Sequence, residues 1–140
     1  MPGNDPLLSI GQAAKASGVS APTIRYYEEI GLIPQALRSA AGHRHYGHAD
    51  ITRLTFIRRC RDFGFGIEQV RLLCGLAASP EEDCTAVRDI AANHLSSVRQ
   101  KLDELRCLEA QLRAFVDSCD SICCGGRSRD CVVLADLAKA

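Results

Sequence analysis

Eight cysteines occur in the 140 residues, and they are unevenly spaced. Cys119, Cys123, Cys124 and Cys131 fall in one short segment, Cys119-Asp-Ser-Ile-Cys-Cys-Gly-Gly-Arg-Ser-Arg-Asp-Cys131, while Cys84 stands apart, directly after Glu81-Glu82-Asp83. In a reducing compartment, clustered thiols point to metal or redox chemistry rather than to disulfides. Thiolates are the ligands that soft and borderline cations prefer: Zn, Cd, Pb, Hg and Cu(I). A helix N-terminus at Cys84 favours its thiolate, whereas the three carboxylates before it oppose ionisation of the free thiol. Those same carboxylates attract a bound cation, so the setting suits a metal site better than a redox nucleophile. Gly125-Gly126 lets the segment fold back and bring Cys131 towards Cys119. Adjacent Cys123 and Cys124 do not easily face one ion together, which leaves one of them spare.

The remaining thiols read differently. Cys60, Cys74 and Cys107 lie on or beside apolar helical positions and behave there as small hydrophobes. Of the four histidines, His43 and His45 fall in a basic loop, His48 at a helix start and His94 on a long helix. None forms a base for a cysteine nucleophile, so an enzyme is not expected.

The elements that must position the thiols begin with two short helices. Ser9 caps the first with Gln12 as its reciprocal partner, and Gly18 stops it. Ser20 caps the second, Pro22 fits its first turn, Ile24 and Tyr27 face inward, and Gly31 with Pro34 ends it. Ala21, Thr23, Arg25 and Tyr26 are then offered outward, where a DNA groove can receive them. Arg38-Ser-Ala-Ala-Gly-His-Arg-His-Tyr46 follows as a basic hairpin or loop that can set Arg38, Arg44, His43 and His45 against phosphates, the position of a wing. A third helix is expected from about Ala49 to Phe63, with Ile51, Leu54 and Ile57 inward and Arg53, Arg58, Arg59 and Arg61 mostly outward. Gly64-Phe-Gly66 breaks it, and a fourth helix carries Ile67, Val70, Leu73 and Cys74 on one face.

Ser79-Pro-Glu-Glu82 predicts the start of a long helix, because no Gly or Pro intervenes before Gly125. Val87, Ala91, Leu95, Val98, Leu102, Leu105, Leu108, Leu112 and Phe115 recur along it at three- and four-residue spacing. That is a narrow apolar seam, suited to a coiled-coil mate rather than to a globular core. From Cys84 to Ser118 such a helix spans roughly 50 Å, and its simplest mate is the same helix of a second subunit. Paired antiparallel, the helices bring Cys84 of one subunit beside Cys119 and the following loop of the other.

Formal net charge is zero, but residues 1–63 carry eight Lys/Arg against five Asp/Glu, and residues 64–140 nine against twelve. A basic front and an acidic back suit DNA at one end and a cation or partner at the other. No run reaches the length of a membrane span, and Met-Pro-Gly-Asn-Asp-Pro lacks the features of a secretion signal, so a cytoplasmic protein is expected. Three regions are expected: 8–78 for DNA binding, 79–118 for dimerisation, and 119–140 as a Cys-rich effector loop with a short terminal helix.

Taken together, these residues resemble the MerR family of bacterial metal-responsive transcription regulators. Thr23-Ile-Arg-Tyr-Tyr-Glu-Glu-Ile-Gly-Leu32 looks like the family's recognition helix, Arg38–Tyr46 like its first wing, and Cys84 with the C-terminal cysteines like its effector site. The resemblance implies a mainly α fold: a winged helix-turn-helix, a long antiparallel coiled-coil dimerisation helix and a C-terminal metal-binding loop. It implies DNA-contacting or wing-shaping roles for Thr23, Arg25, Tyr26, Tyr27, Arg38, Arg44 and Tyr46, and a metal set drawn from Cys84, Cys119, Cys123, Cys124 and Cys131. It also implies a homodimer at a promoter, where metal binding distorts the duplex so that RNA polymerase can engage. Cys at position 84 resembles sensors of divalent Zn, Cd, Pb or Hg, whereas copper(I)-type sensors carry Ser there. Four cysteines instead of two in the loop leave the metal and its ligands open, with an iron–sulfur redox sensor or a Cu(I) sensor as alternatives within the family. A metal-buffering protein is the alternative outside it.

Overall fold

The computed structural model describes residues 6–123 and 125–140. Cys124, one of the expected ligands, lies outside them. The chain divides into two compact units, one ending at Ile90 and the other beginning at Ala91.

In the first unit, Ser9 caps helix α1 (Ile10–Ser17) in a reciprocal pair with Gln12, and Gly18 ends it in the left-handed conformation. Ser20 caps helix α2 (Ala21–Glu29), and Gly31, also left-handed, turns the chain away from its end. Two short antiparallel strands follow, β1 (Leu37–Arg38) and β2 (Arg44–His45), with Leu37 opposite His45 and Arg38 opposite Arg44. An isolated bridge pairs Leu8 with Tyr46, which ties the start of the described chain to this hairpin. Helices α3 (His48–Asp62) and α4 (Ile67–Ala77) complete the unit. Their starts are held by Asp50 and Gln69, whose side chains accept the backbone N–H groups of Gly47 and Gly66. Ala13, Ile24, Leu32, Tyr46, Leu54, Ile57 and Val70 form the floor of one core, each no more than 1% exposed.

Two arginines tie the ends of the first helices to the later ones. Arg58 Nε on α3 donates to the Ser17 carbonyl at 2.9 Å, and Arg71 Nη2 on α4 donates to the Ile30 carbonyl at 2.9 Å. Terminal carbonyls lack intrahelical donors, so a guanidinium there satisfies both the lone pair and the negative end of the helix dipole. Arg58 thus turns its Nε inward to Ser17 while its Nη1 reaches the exposed Asp62 carboxylate at 3.2 Å.

The long helix starts later than its capping signal predicts. Ser79–Glu82 closes a single turn through Glu82 N–H to the Ser79 carbonyl, and helix α5 runs from Thr85 to Ser118. Asp83 stops the earlier start from propagating, because its carboxylate accepts the Thr85 backbone N–H at 2.8 Å and the Thr85 hydroxyl at 2.7 Å. Ile90 packs on the core of the first unit. No residue of α5 is buried, and Leu95, Val98, Leu102, Leu105, Leu108 and Leu112 are all exposed. After Ser118 the chain continues as a π-helical turn, Cys119–Cys123, where a loop was expected; a 3₁₀ turn, Ser128–Asp130, leads into the short helix α6 (Val132–Leu137). Among the described residues, no helix is long and apolar enough to cross a membrane.

Gly18 combines a φ of 75° with a Cβ position only 2.9 Å from Arg58 Cδ. Gly18→Ala is expected to cost about 1–3 kcal/mol of unfolding free energy. Denaturant unfolding at fixed protein concentration measures it, and an unchanged midpoint would contradict the close approach.

Candidate DNA-binding face and metal-ligating thiols

Helix α2 sorts its residues by period. Ile24 and Tyr27 are buried, while Arg25 and Tyr26 are exposed, with the Tyr26 and Tyr27 rings 6.1 Å apart and tilted by 45°. Thr23 is half-buried, and its hydroxyl shares a 2.7 Å hydrogen bond with Ser20 at the cap. Arg25 and Tyr26 are thus free to meet a groove, whereas Tyr27 serves the core. In the hairpin, Arg38 is exposed and its Nη1 donates to the Gly42 carbonyl at 3.0 Å, bracing the turn. Tyr46 is buried, which makes it a residue that shapes the wing rather than one that touches a duplex.

One residue absent from the expected set joins the two parts. Glu28 is only 7% exposed; its carboxylate accepts the Tyr46 hydroxyl and sits 3.3 Å from Arg44 Nε. A buried carboxylate needs such partners, since an uncompensated one is costly. Here a residue on α2, one on β2 and the residue just after β2 share one charge-assisted network. The sequence signal was available: Glu28 lies four residues after Ile24, a charge on the inward stripe. Burial pushes the Tyr46 phenol well above its ordinary range; the Glu28 hydrogen bond and charge add to this, against opposing pulls from Arg44 and Arg25.

The thiols fall into two chemical classes. Cys60 and Cys74 are buried, and burial pushes both thiols up, with Arg53 moderating the effect at Cys74. They remain protonated hydrophobes at neutral pH. Cys107, like the seam beside it, is exposed in the single chain. Cys84 is exposed and occupies the N-cap position of α5, its carbonyl accepting the Arg88 N–H at 3.1 Å. Beside it, hydrogen bonds from Thr85 hold the Asp83 carboxyl below its usual range, so it stays anionic. Cys119 and Cys131 are half-buried in the second unit. Cys123 ends the π-helical turn. The exposed Cys84 sulfur next to an ionised carboxylate in the first unit, and the half-buried Cys119 and Cys131 sulfurs in the second, are each the donor type that a thiophilic cation prefers. Among the described residues of one chain, no three Cys, His, Asp or Glu side chains converge to hold an ion.

Known proteins resemble this chain over nearly its whole length. A family model described as MerR HTH family regulatory protein matches residues 8–75, and one described as MerR, DNA binding matches residues 51–115. An HTH-type transcriptional regulator of Pseudomonas aeruginosa is 40% identical over 94% of this chain and 97% of its own. A probable heavy metal-dependent transcriptional regulator of Haemophilus influenzae is 36% identical over 93% of this chain and 98% of its own. The crystal structure of the transcription regulator PbrR691 from Ralstonia metallidurans, in complex with lead(II), has a TM-score of 0.81 and 37% identity, covering 94% of this chain and 99% of that one.

Tyr46→Phe removes the hydroxyl from the Glu28 network and is expected to cost about 1–3 kcal/mol at pH 7. The raised folded pKa of Tyr46 also sets a pH dependence. Its stabilising contribution is complete below the unfolded phenol's value of about 10, and is lost as pH rises from there towards the folded value. Denaturant titrations from pH 9 to 12 therefore give a downward slope that Tyr46→Phe flattens. Parallel slopes would contradict the linkage.

Proposed function

We propose, on the premise that this chain belongs to the MerR family of HTH regulatory proteins, that it is a homodimeric transcription activator gated by a thiophilic metal ion. Family membership makes it a transcription regulator rather than an enzyme. One observation carries the finer reading. Helix α5 leaves its leucine seam unburied over 34 residues, with Cys84 at its N-cap and Cys119 directly after its last residue. A second α5 laid antiparallel covers the seam and places Cys84 of one subunit beside Cys119 and Cys131 of the other. The ion is then held only by the assembled dimer.

The effector is drawn from Zn, Cd, Pb and Hg. The lead complex of PbrR691 and the heavy-metal dependence named for the Haemophilus relative support that class. Cu(I) is less favoured, because a thiol rather than a hydroxyl occupies position 84. An iron–sulfur cluster would draw on the same loop sulfurs.

DNA contacts are assigned to Thr23, Arg25 and Tyr26 on α2 and to Arg38 and Arg44 in the wing, with Tyr27 and Tyr46 shaping that surface from within. Thiolate ligation favours one pose of the dimer over another. Shifting a 1:99 equilibrium to 99:1 takes about 10⁴-fold tighter binding to the favoured pose, well within the reach of multidentate sulfur ligation. The re-posed helices bend and untwist the promoter, and RNA polymerase engages the reshaped duplex.

Transcription from the promoter with purified polymerase, read with and without each ion, tests this. Cys84→Ser is expected to abolish induction by divalent ions while leaving promoter binding in place. Arg25→Ala is expected to weaken promoter binding by about tenfold or more with metal uptake intact. A protein that takes up metal but binds no DNA specifically would instead be a buffer. Stoichiometric iron with visible absorption in anaerobic preparations would make it a redox sensor.

A further inference from the structure

We propose that Arg71 is a positioning residue through which helix α4 sets the pose of helix α2, and so passes the state of the metal end of the molecule to its DNA-contacting face. The proposal rests on the metal-gated reading above. Its starting point is one bond: Arg71 Nη2 donates to the carbonyl of Ile30, the C-cap of α2, across 41 positions in sequence. A guanidinium is strongly held there, because the last carbonyls of a helix carry its negative partial charge.

That bond matters because it is a directional polar tie between two helices that otherwise share the apolar core. The main packing of this unit is α1 on α2, α1 on α3 and α3 on α4, whereas α2 and α4 share at most minor contact. Arg71 thus adds a direct hydrogen bond to the end of α2, beside that packing. Its own base is firm: Val70, Leu73 and Cys74 on either side are buried, and the Glu68 carboxylate lies 3.9 Å from its Nε.

Position along the chain supplies the coupling. Helix α4 ends at Ala77, Cys84 follows seven residues later, and Ile90 of α5 packs back onto the same core. Cys84 thus lies between α4 and the first turns of α5, both of which belong to this unit. Arg71 then carries a change of pose imposed there to the end of α2 opposite Ser20. Arg58 makes the same kind of bond to Ser17, but from α3, which does not lead to Cys84. It is the natural control.

The test uses the full-length dimer and the ion among Zn(II), Cd(II), Pb(II) and Hg(II) that gives the largest wild-type induction. Arg71→Ala is expected to keep metal affinity and metal-free promoter affinity, yet to lose metal-dependent induction by about fivefold or more. Arg71→Lys, which retains a charged donor, restores most of it. Arg58→Ala lowers stability and leaves the induction ratio unchanged. The proposal is overturned if Arg71→Ala induces like wild type, if induction falls only in proportion to metal-free DNA affinity, or if Arg71→Ala loses helical content. It is equally overturned if Arg58→Ala uncouples to the same degree. A wild type that shows no metal response refutes the metal-gated reading and this inference with it, whereas a responding wild type with an unaltered Arg71→Ala refutes the inference alone.

Discussion

A helix of 34 residues on which nothing is buried is the constraint that organises this molecule. Isolated helices gain little from propensity alone, and most helical stability in proteins comes from packing an apolar face. Leu95, Leu102, Leu105 and Leu112 lie open, so their own chain does not supply that packing. The cysteines beyond Ser118 follow directly on this open seam.

Local signals were read well from sequence because their partners are close in the chain. Ser9 with Gln12, Gly18 and Ser20 each act within four residues, and the structure places the ends of α1 and the start of α2 at them. The start of α5 misled for an equally local reason. Ser79-Pro-Glu-Glu82 is a sound capping signal, but Asp83 and Thr85 compete for the same backbone and win. The long-range bonds were out of reach. Tyr46 meets Glu28 across 18 positions, while Arg58 and Arg71 each reach across 41. No periodicity announces which carbonyl an arginine will find.

The candidate site was legible in unequal parts. Arg25, Tyr26 and Arg38 are exposed as their spacing implied, and of the two roles open to Tyr46, contacting DNA or shaping the wing, its burial fits the second, because the Leu8 bridge and Glu28 both draw it inward. Cysteine type alone did not separate structural from reactive sulfur; surroundings did. Apolar neighbours keep the thiols of Cys60 and Cys74 protonated, while Cys84 stands in water next to an ionised carboxylate.

The N-cap placement of Cys84 has an evolutionary corollary. Caps are positions where a short hydroxyl side chain is welcome, and the preceding aspartate already steadies the first turn. Exchanging sulfur for oxygen there changes the donor atom without asking anything new of the fold. If Cys84 ligates the ion as proposed, a single-base change from Cys to Ser would therefore alter the donor set while leaving the buried core under α2 as it is.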